Sequence, residues 1–90
     1  MIRHHIIFTG WVQGVGFRYR ARHAASLYGN MGWVRSEWDG SVTMEIQGEP
    51  ETKDQVIHAI GAGRYVQIEG MICKAIPAVN DERGSGRNTD

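Results

Sequence analysis

The amino-acid sequence predicts an α/β (α+β) sandwich in which two helices cover one face of a four-stranded antiparallel sheet. The predicted elements follow in the order strand, helix, strand, strand, helix, strand, and the two middle strands flank a turn dipeptide, Asp39-Gly40. Both helical segments carry a single apolar face, as expected of helices that lie on a sheet. Two βαβ-like halves placed side by side satisfy this order, which gives the ferredoxin-like βαββαβ topology.

The first strand and the first helix are separated by a glycine-rich loop. Residues 4–9 are predicted to form the strand, which ends at Gly10. Apolar or small residues then recur at helical spacing at Phe17, Ala21, Ala24, Ala25 and Tyr28. Gly29-Asn30 provides the stop signal for this helix.

A β-hairpin follows, with strands predicted at residues 31–38 and 41–47. The connecting Asp39-Gly40 suits a type I′ turn, whose two central residues both adopt positive φ. Apolar residues alternate with polar ones from Ser41 to Gln47. Since this alternation is typical of a sheet with one buried and one solvated face, we expect the face without helices to be wet.

The rest of the chain adds a second helix and a last strand. A helix with one apolar face is predicted at about 51–60. Residues 66–76 are predicted to form a strand that is interrupted at Gly70. The polar residues 80–90 are expected to form a frayed tail.

Length and charge exclude several classes of function. Ninety residues suffice for one domain, predicted over 1–90 with its core at about 4–77. Ten basic side chains balance ten acidic ones, so there is no overall positive field to collect nucleic acid or an anionic membrane. We therefore expect no nucleic-acid or membrane partner, so that any anion binding must be local, and we expect a monomer.

Cysteine and histidine usage argues against a disulfide or a metal site. The single cysteine, Cys73, lies in a strand-like stretch and is predicted to pack in the core. His4 and His5 point to opposite sides of a strand, and His23 and His58 lie on different helices, so no ligand spacing is present. No export signal precedes the first strand, and a reducing cytoplasm is the expected location.

The glycine-rich loop is the main candidate for chemistry. A tight turn before a helix directs unpaired backbone N–H groups to one point and adds the positive end of the helix dipole. Arg18 falls in the first turn of that helix, where its guanidinium can hold two oxygens of a phosphate. Because glycine-rich turns and surface arginines are both common, this local chemistry alone leaves phosphate binding as one of two interpretations.

Two motifs together resemble those of a known family. Gly10 followed by Val12-Gln13-Gly14-Val15-Gly16-Phe17-Arg18 looks like the signature loop of acylphosphatases. The second signature of these enzymes is similar to Gly32-Trp33-Val34-Arg35, followed by Asp39-Gly40-Ser41-Val42 and Gly48. The resemblance covers roughly residues 5–77.

This resemblance implies a ferredoxin-like hydrolase that splits an acyl phosphate into a carboxylate and inorganic phosphate, without a metal or cofactor. It places the phosphate, whether of substrate or product, against the side chain of Arg18 and the loop amides. The residues so implied are Gln13, Gly14, Val15, Gly16, Phe17 and Arg18. Phosphoryl transfer needs mainly positioning and charge stabilisation, which such a loop supplies.

Ser36 departs from the family pattern, in which an asparagine at this position orients the attacking water. Strand parity places Ser36 on the same face as Val34, so we expect it near the loop. A hydroxyl is shorter than a carboxamide, and a water displaced by about 1 Å slows a reaction on the order of 100-fold. Three interpretations stay open: a weak enzyme, a module that only binds anions, or a chain altered at this position to probe the water.

Other interpretations of the sequence are weaker. Gly14-Val15-Gly16 superficially resembles a dinucleotide fingerprint, but Tyr19 replaces the third glycine and the hairpin precludes a parallel sheet. An RNA-binding module would need a basic face with exposed aromatic residues, but the ten basic side chains of this sequence are balanced by ten acidic ones.

Of the tryptophans, Trp11 is the best candidate to line the acyl side of the pocket. Arg22, one turn after Arg18, could extend the positive rim of the site, although a solvent-facing arginine is the favoured interpretation.

The end of the chain also departs from the family. Family members finish with an apolar edge strand, whereas Gly84-Ser85-Gly86-Arg87 contains no apolar residue. A missing edge strand would leave a strand unpaired, which makes pairing with a second copy conceivable although nothing in the sequence indicates it.

Overall fold

The computed structural model describes residues 1–14 and 16–79; Val15 and the predicted tail, residues 80–90, lie outside the described residues. Six elements form in the predicted order. They are β1 (Ile2–Trp11), α1 (Phe17–Leu27), β2 (Met31–Ser36), β3 (Val42–Gly48), α2 (Thr52–Gly61) and β4 (Gln67–Ile76).

The four strands form one antiparallel sheet in the order β2-β3-β1-β4. This arrangement confirms the predicted ferredoxin-like topology and is incompatible with the parallel sheet of a dinucleotide-binding fold. β1 and β3 therefore form the centre of the sheet. No helix within residues 1–14 and 16–79 is long and apolar enough to span a membrane.

The core lies between the helices and one face of the sheet. Its members alternate along the strands and recur at helical spacing along α1 and α2, which is why the sequence pattern predicted them. The largest fully buried side chains are Phe8, Phe17, Ile6, Met44, Ile46, Ile60, Val12, Val42 and Val56. Cys73 packs against this cluster, as predicted.

The turn of the hairpin differs from the predicted type I′ turn. The amide of Gly40 donates to the carbonyl of Glu37 at 3.3 Å, and the amide of Glu37 donates to the carbonyl of Ser41 at 2.9 Å. Gly40 has a φ of +94°, whereas Asp39 is not at positive φ. The prediction was wrong because the loop has three residues, Trp38 to Gly40: a type I turn that ends in a left-handed glycine. β2 consequently ends at Ser36 rather than at residue 38.

The face of the sheet without helices is polar, but it is not wet along β3. This face, which we call the open face, carries Arg3 and His5 of β1 opposite Gln47 and Glu45 of β3. Arg3 and Gln47 are buried. The expectation of a solvated face was wrong here because the polar side chains cover one another, and because Gln47 also exchanges two hydrogen bonds of 2.9 Å with the backbone of Val79.

Candidate active site

The loop between β1 and α1 is fixed at both ends by buried side chains. Val12 follows β1 and is fully buried, and Phe17, the first residue of α1, is almost fully buried. The ring of Phe17 packs edge-on against that of Phe8 in β1, with 5.2 Å between ring centroids and 64° between planes. The loop backbone is therefore held against the core although its own surface is exposed.

Two glycines turn the loop into the helix. Gly14 has a φ of +74° and Gly16 a φ of +76°, a left-handed conformation that is costly for any other residue. Gly16 is the N-cap of α1, and its carbonyl accepts a bond of 3.0 Å from the amide of Arg20. The amides of Phe17 and Arg18 precede that bond and have no helical acceptor, and no side chain among the described residues caps the helix. These amides and the positive end of α1 thus face the loop.

A cavity of about 420 Å³ opens against this turn, and we call it the loop cavity. It is lined by Val12, Gln13, Gly14, Gly16, Phe17, Arg18, Tyr19, Arg22 and Ser36. All the described residues that the sequence singled out for the phosphate site therefore line one cavity. Val15, the remaining member of the predicted set, lies outside the described residues.

Ser36 reaches the loop cavity from the far edge of the sheet. It lies opposite Val42 of β3, and Val34 lies opposite Met44, so both face the helices as strand parity predicted. Within the described ranges, the hydroxyl of Ser36 and the guanidinium of Arg18 have no hydrogen-bond or ion-pair partner. Both groups are available to a ligand or a water molecule in the cavity.

Gln13 joins the loop to the hairpin that carries Ser36. Its side-chain amide donates to the carbonyl of Glu37 at 2.8 Å and to the carbonyl of Ser41 at 2.7 Å. The sequence indicated only a contribution of Gln13 to the phosphate loop. Because the two carbonyls lie 24 and 28 residues further along the chain, no local pattern could have shown this bridge.

The comparisons with known proteins agree with this geometry. The family model described as acylphosphatase matches residues 4–84. The chain belongs to the acylphosphatase family. It is 44% identical over 84 residues to the acylphosphatase of Geobacillus kaustophilus, covering 92% of this chain and 89% of that one. It is 47% identical over 78 residues to that of Bacillus pumilus, covering 86% and 87%.

Solved structures of the family share the fold. The crystal structure of acylphosphatase from Bacillus subtilis superposes with a TM-score of 0.81 at 28% identity, over 88% of this chain and 89% of that one. The predicted membership of the acylphosphatase family and the predicted ferredoxin-like architecture are therefore both confirmed.

In this family member, Arg22 adds a second guanidinium to the loop cavity. Arg22 is exposed, as interpreted from the sequence, yet it lines the cavity together with Arg18, one helical turn earlier. Arg20, between them, is exposed and is not part of the lining. The helical repeat thus places two of the three arginines on the side of α1 that faces the loop.

The other charges near Ser36 are engaged away from the cavity. On the open face, Arg35 Nε lies 3.0 Å from Glu37 Oε2, and the guanidinium stacks over Trp33 at 5.0 Å from the ring centroid. The hydrogen bond from Thr43, followed by that from Arg35, lowers the pKa of Glu37. Glu37 therefore stays ionised and paired at neutral pH, and the positive charges that line the loop cavity are those of Arg18 and Arg22.

Proposed function

We propose that this family member hydrolyses acyl phosphates in the loop cavity. One observation carries the proposal: within residues 1–14 and 16–79, the guanidinium of Arg18 and the hydroxyl of Ser36 have no partner, and both line the same cavity as the open amides at the start of α1. These groups match the parts of the substrate, which are a dianionic phosphate and a water molecule beside it. The names of the relatives support the same activity.

In this proposal Arg18 and the loop amides hold the phosphate. A guanidinium offers two parallel N–H donors that fit two phosphate oxygens, and the amides around Gly16 to Arg18 serve the remaining oxygen. Charge spreads over these oxygens in the transition state, so preorganised donors in a fixed loop stabilise it without reorganisation. The left-handed Gly14 and Gly16 are what allow the backbone to direct its amides inward.

The reaction needs no covalent nucleophile from the protein. The oxygen of a water molecule forms a bond to phosphorus while the bond from phosphorus to the bridging oxygen breaks. The bridging oxygen leaves with the bonding electrons as part of the carboxylate. Of the two water protons, one stays on the phosphate and the other passes to solvent. Since a carboxylate is a stable anion, the leaving group requires no general acid.

Ser36 is proposed to hold the attacking water, with one donor and two acceptor positions on its hydroxyl. It lies at the β2 side of the loop cavity, so a water bonded to it approaches the phosphate from that side. Because a hydroxyl reaches less far than the family's asparagine, a second candidate function is an anion-binding module that turns over slowly or not at all.

We further propose that the protein works as a single-domain monomer in the cytoplasm, without a nucleic-acid partner. The single cysteine and the balance of ten basic and ten acidic side chains support this proposal.

Hydrolysis of acetyl phosphate by the parent chain, Arg18→Ala and Arg20→Ala tests the main proposal. Both variants remove one arginine from the exposed surface of α1, but only Arg18 lines the loop cavity. We expect Arg18→Ala to lower kcat/KM by at least about 100-fold and to abolish inhibition by inorganic phosphate. Arg20→Ala should keep both properties.

The two candidate functions give different results in the same experiment. Phosphate binding that depends on Arg18, without measurable turnover, would identify the anion-binding module. Absence of both hydrolysis and phosphate binding in the parent chain would disprove both candidate functions.

A further inference from the structure

A second cavity adjoins the loop cavity at Gly14. It measures about 670 Å³ and is lined by Trp11, Gly14, Arg64, Tyr65 and Gln67; we call it the aromatic cavity. Gly14 lines both cavities. A molecule whose phosphate lies in the loop cavity can therefore extend past Gly14 into the aromatic cavity.

The end of β1 and the start of β4 build one wall of this cavity. Trp11 lies opposite Gln67 in the sheet, just beyond a shift in register between Thr9 and Gly10. A Cβ atom at Gly10 would lie 2.7 Å from the amide nitrogen of Glu69, so the close approach of β4 requires glycine here. The same contact fixes Trp11 beside Gln67 rather than leaving it on a loose loop.

Two aromatic side chains of this cavity are largely in water. Trp11 is 68% exposed and Tyr65 is 69% exposed, although each is large enough to contribute strongly to a core. A flat apolar group between them would remove part of both rings from water and could stack on either. Their exposure beside the loop thus favours an occupant with a planar, apolar surface.

The in-line geometry of the proposed reaction also indicates that the acyl group lies in the aromatic cavity. The attacking and leaving oxygens of phosphoryl transfer lie roughly in line, on opposite sides of phosphorus. The water held by Ser36 approaches phosphorus from the side of β2, at one edge of the sheet. The leaving acyl group therefore points toward β4, at the other edge. The aromatic cavity lies on the β4 side.

A groove between α1 and β2 is another place that an acyl group could occupy. It measures about 350 Å³ and touches the loop cavity at Arg22, but it is lined by residues of β2 such as Val34. It therefore lies on the same side as Ser36. An acyl group there would stand where the attacking water must enter.

We propose that the aromatic cavity is the acyl subsite and that it favours acyl phosphates with a planar aromatic acyl group. This inference rests on the proposed function, because it assumes that the phosphate lies in the loop cavity. Trp11 and Tyr65 then determine specificity, whereas Arg18 and Ser36 serve every acyl phosphate alike.

The test compares two stable analogues in which a CH₂ group replaces the bridging oxygen: phenacylphosphonate, with an aromatic acyl group, and acetonylphosphonate, with a methyl group. Affinities are measured by calorimetry for the parent chain, for Trp11→Ala/Tyr65→Ala and for Trp38→Ala. Trp38 is a matched control because it is 96% exposed in the hairpin turn and lines neither cavity. Hydrolysis of benzoyl and acetyl phosphate is followed in parallel.

We expect the parent and Trp38→Ala to bind phenacylphosphonate about tenfold more tightly than acetonylphosphonate. The double variant should lose this preference, because removing both rings weakens binding of phenacylphosphonate about tenfold more than binding of acetonylphosphonate. Equal affinities in the parent, or a preference that survives in the double variant, would overturn the acyl subsite and leave the proposed function intact. A parent chain that binds neither analogue and hydrolyses neither substrate would instead overturn the proposed function, and the subsite with it.

Discussion

The side-chain amide of Gln13 donates a hydrogen bond of 2.7 Å to the main-chain carbonyl of Ser41. The same nitrogen donates to the carbonyl of Glu37 at 2.8 Å, so one group holds both sides of the hairpin turn. Gln13 belongs to the loop that leads into α1 and its Arg18, and Glu37 directly follows Ser36. The distance between the phosphate-binding group and the proposed water-binding group therefore depends on Gln13.

Replacing the donor of this bridge should impair turnover more than phosphate binding. In Gln13→Met the side chain keeps about the same length and gains no charge, but both hydrogen bonds would be lost. A displacement of the hairpin by about 1 Å relative to the loop is expected to lower kcat on the order of 100-fold. Steady-state hydrolysis of acetyl phosphate with inorganic phosphate as inhibitor measures both effects.

Gln55→Met is the matched control for this change, because Gln55 is exposed on α2 and lies outside the loop cavity. It makes the same substitution and also leaves the net charge unchanged. If Gln13→Met and Gln55→Met have equal kcat values, the bridge does not position the site.

The position of Ser36 predicts that asparagine there raises activity. The longer carboxamide of Ser36→Asn reaches further into the loop cavity and can both donate to and accept from a water molecule. We expect kcat to rise about 10-fold to 100-fold, with the inhibition constant of inorganic phosphate unchanged, because that binding depends on other groups. Ser36→Ala should lower kcat instead. Identical kcat values for all three chains would show that no side chain at this position orients the water.

The order of the elements and the core could be predicted because both depend on local patterns. The spacing of Phe17, Ala21 and Ala24 is enough to define the buried face of α1, whatever it packs against. That Gly14, Gly16 and Arg18 share one site was also predictable, since they lie close together in the chain, whereas Tyr19 and Arg22 of the same cavity were not predicted. Ser36 could be placed because parity along β2 is a local property as well.

What the sequence did not reveal depends on contacts between distant segments. The bridge from Gln13 to the hairpin joins groups that only the folded sheet brings together. Burial of Gln47 on the open face depends on Arg3 of another strand and on Val79 beyond β4. The turn at Trp38 to Gly40 was misjudged because one extra residue in the loop changes its type without changing the Asp-Gly pair.

Two glycines have nearly the same φ, and substitutions at these two positions distinguish an effect on the stability of the fold from an effect on the loop. Gly16 has a φ of +76° and Gly29, after α1, a φ of +75°, and a Cβ atom at either position meets nothing within 4 Å. Gly16→Ala and Gly29→Ala should therefore each lower the free energy of unfolding by about 1–2 kcal/mol, from backbone strain alone. Urea denaturation measures this loss.

Only Gly16→Ala should weaken binding of inorganic phosphate, because Gly16 sets the direction of the amides at the start of α1. Gly29→Ala then serves as the control for the loss of stability. A similar loss of phosphate affinity in both variants would attribute the effect to general destabilisation rather than to the loop.

Glu45, on the open face, makes the stability of the fold depend on pH in the acid range. Its carboxylate accepts from Arg3 Nε at 2.9 Å and lies 2.7 Å from His5 Nδ1. Burial raises the pKa of Glu45, but the hydrogen bonds from His5 and Arg3 outweigh it, so that the pKa is lowered from its ordinary value. A group with a lowered pKa in the folded state stabilises the fold above its unfolded pKa, and this contribution is lost as the pH falls through the folded value.

The parent chain should therefore lose stability as the pH falls below about 4.5, in part through protonation of Glu45. Glu45→Gln should be less stable than the parent at pH 7 by about 1–3 kcal/mol, because the charge-assisted hydrogen bond between Arg3 and Glu45 becomes a neutral one. Its free energy of unfolding should also depend less on pH in the acid range, since one titrating group is gone. Urea denaturation between pH 3 and pH 7 measures both quantities, with Glu49→Gln as the exposed control. Parallel curves for the parent and Glu45→Gln would mean that the acid sensitivity arises from other carboxylates.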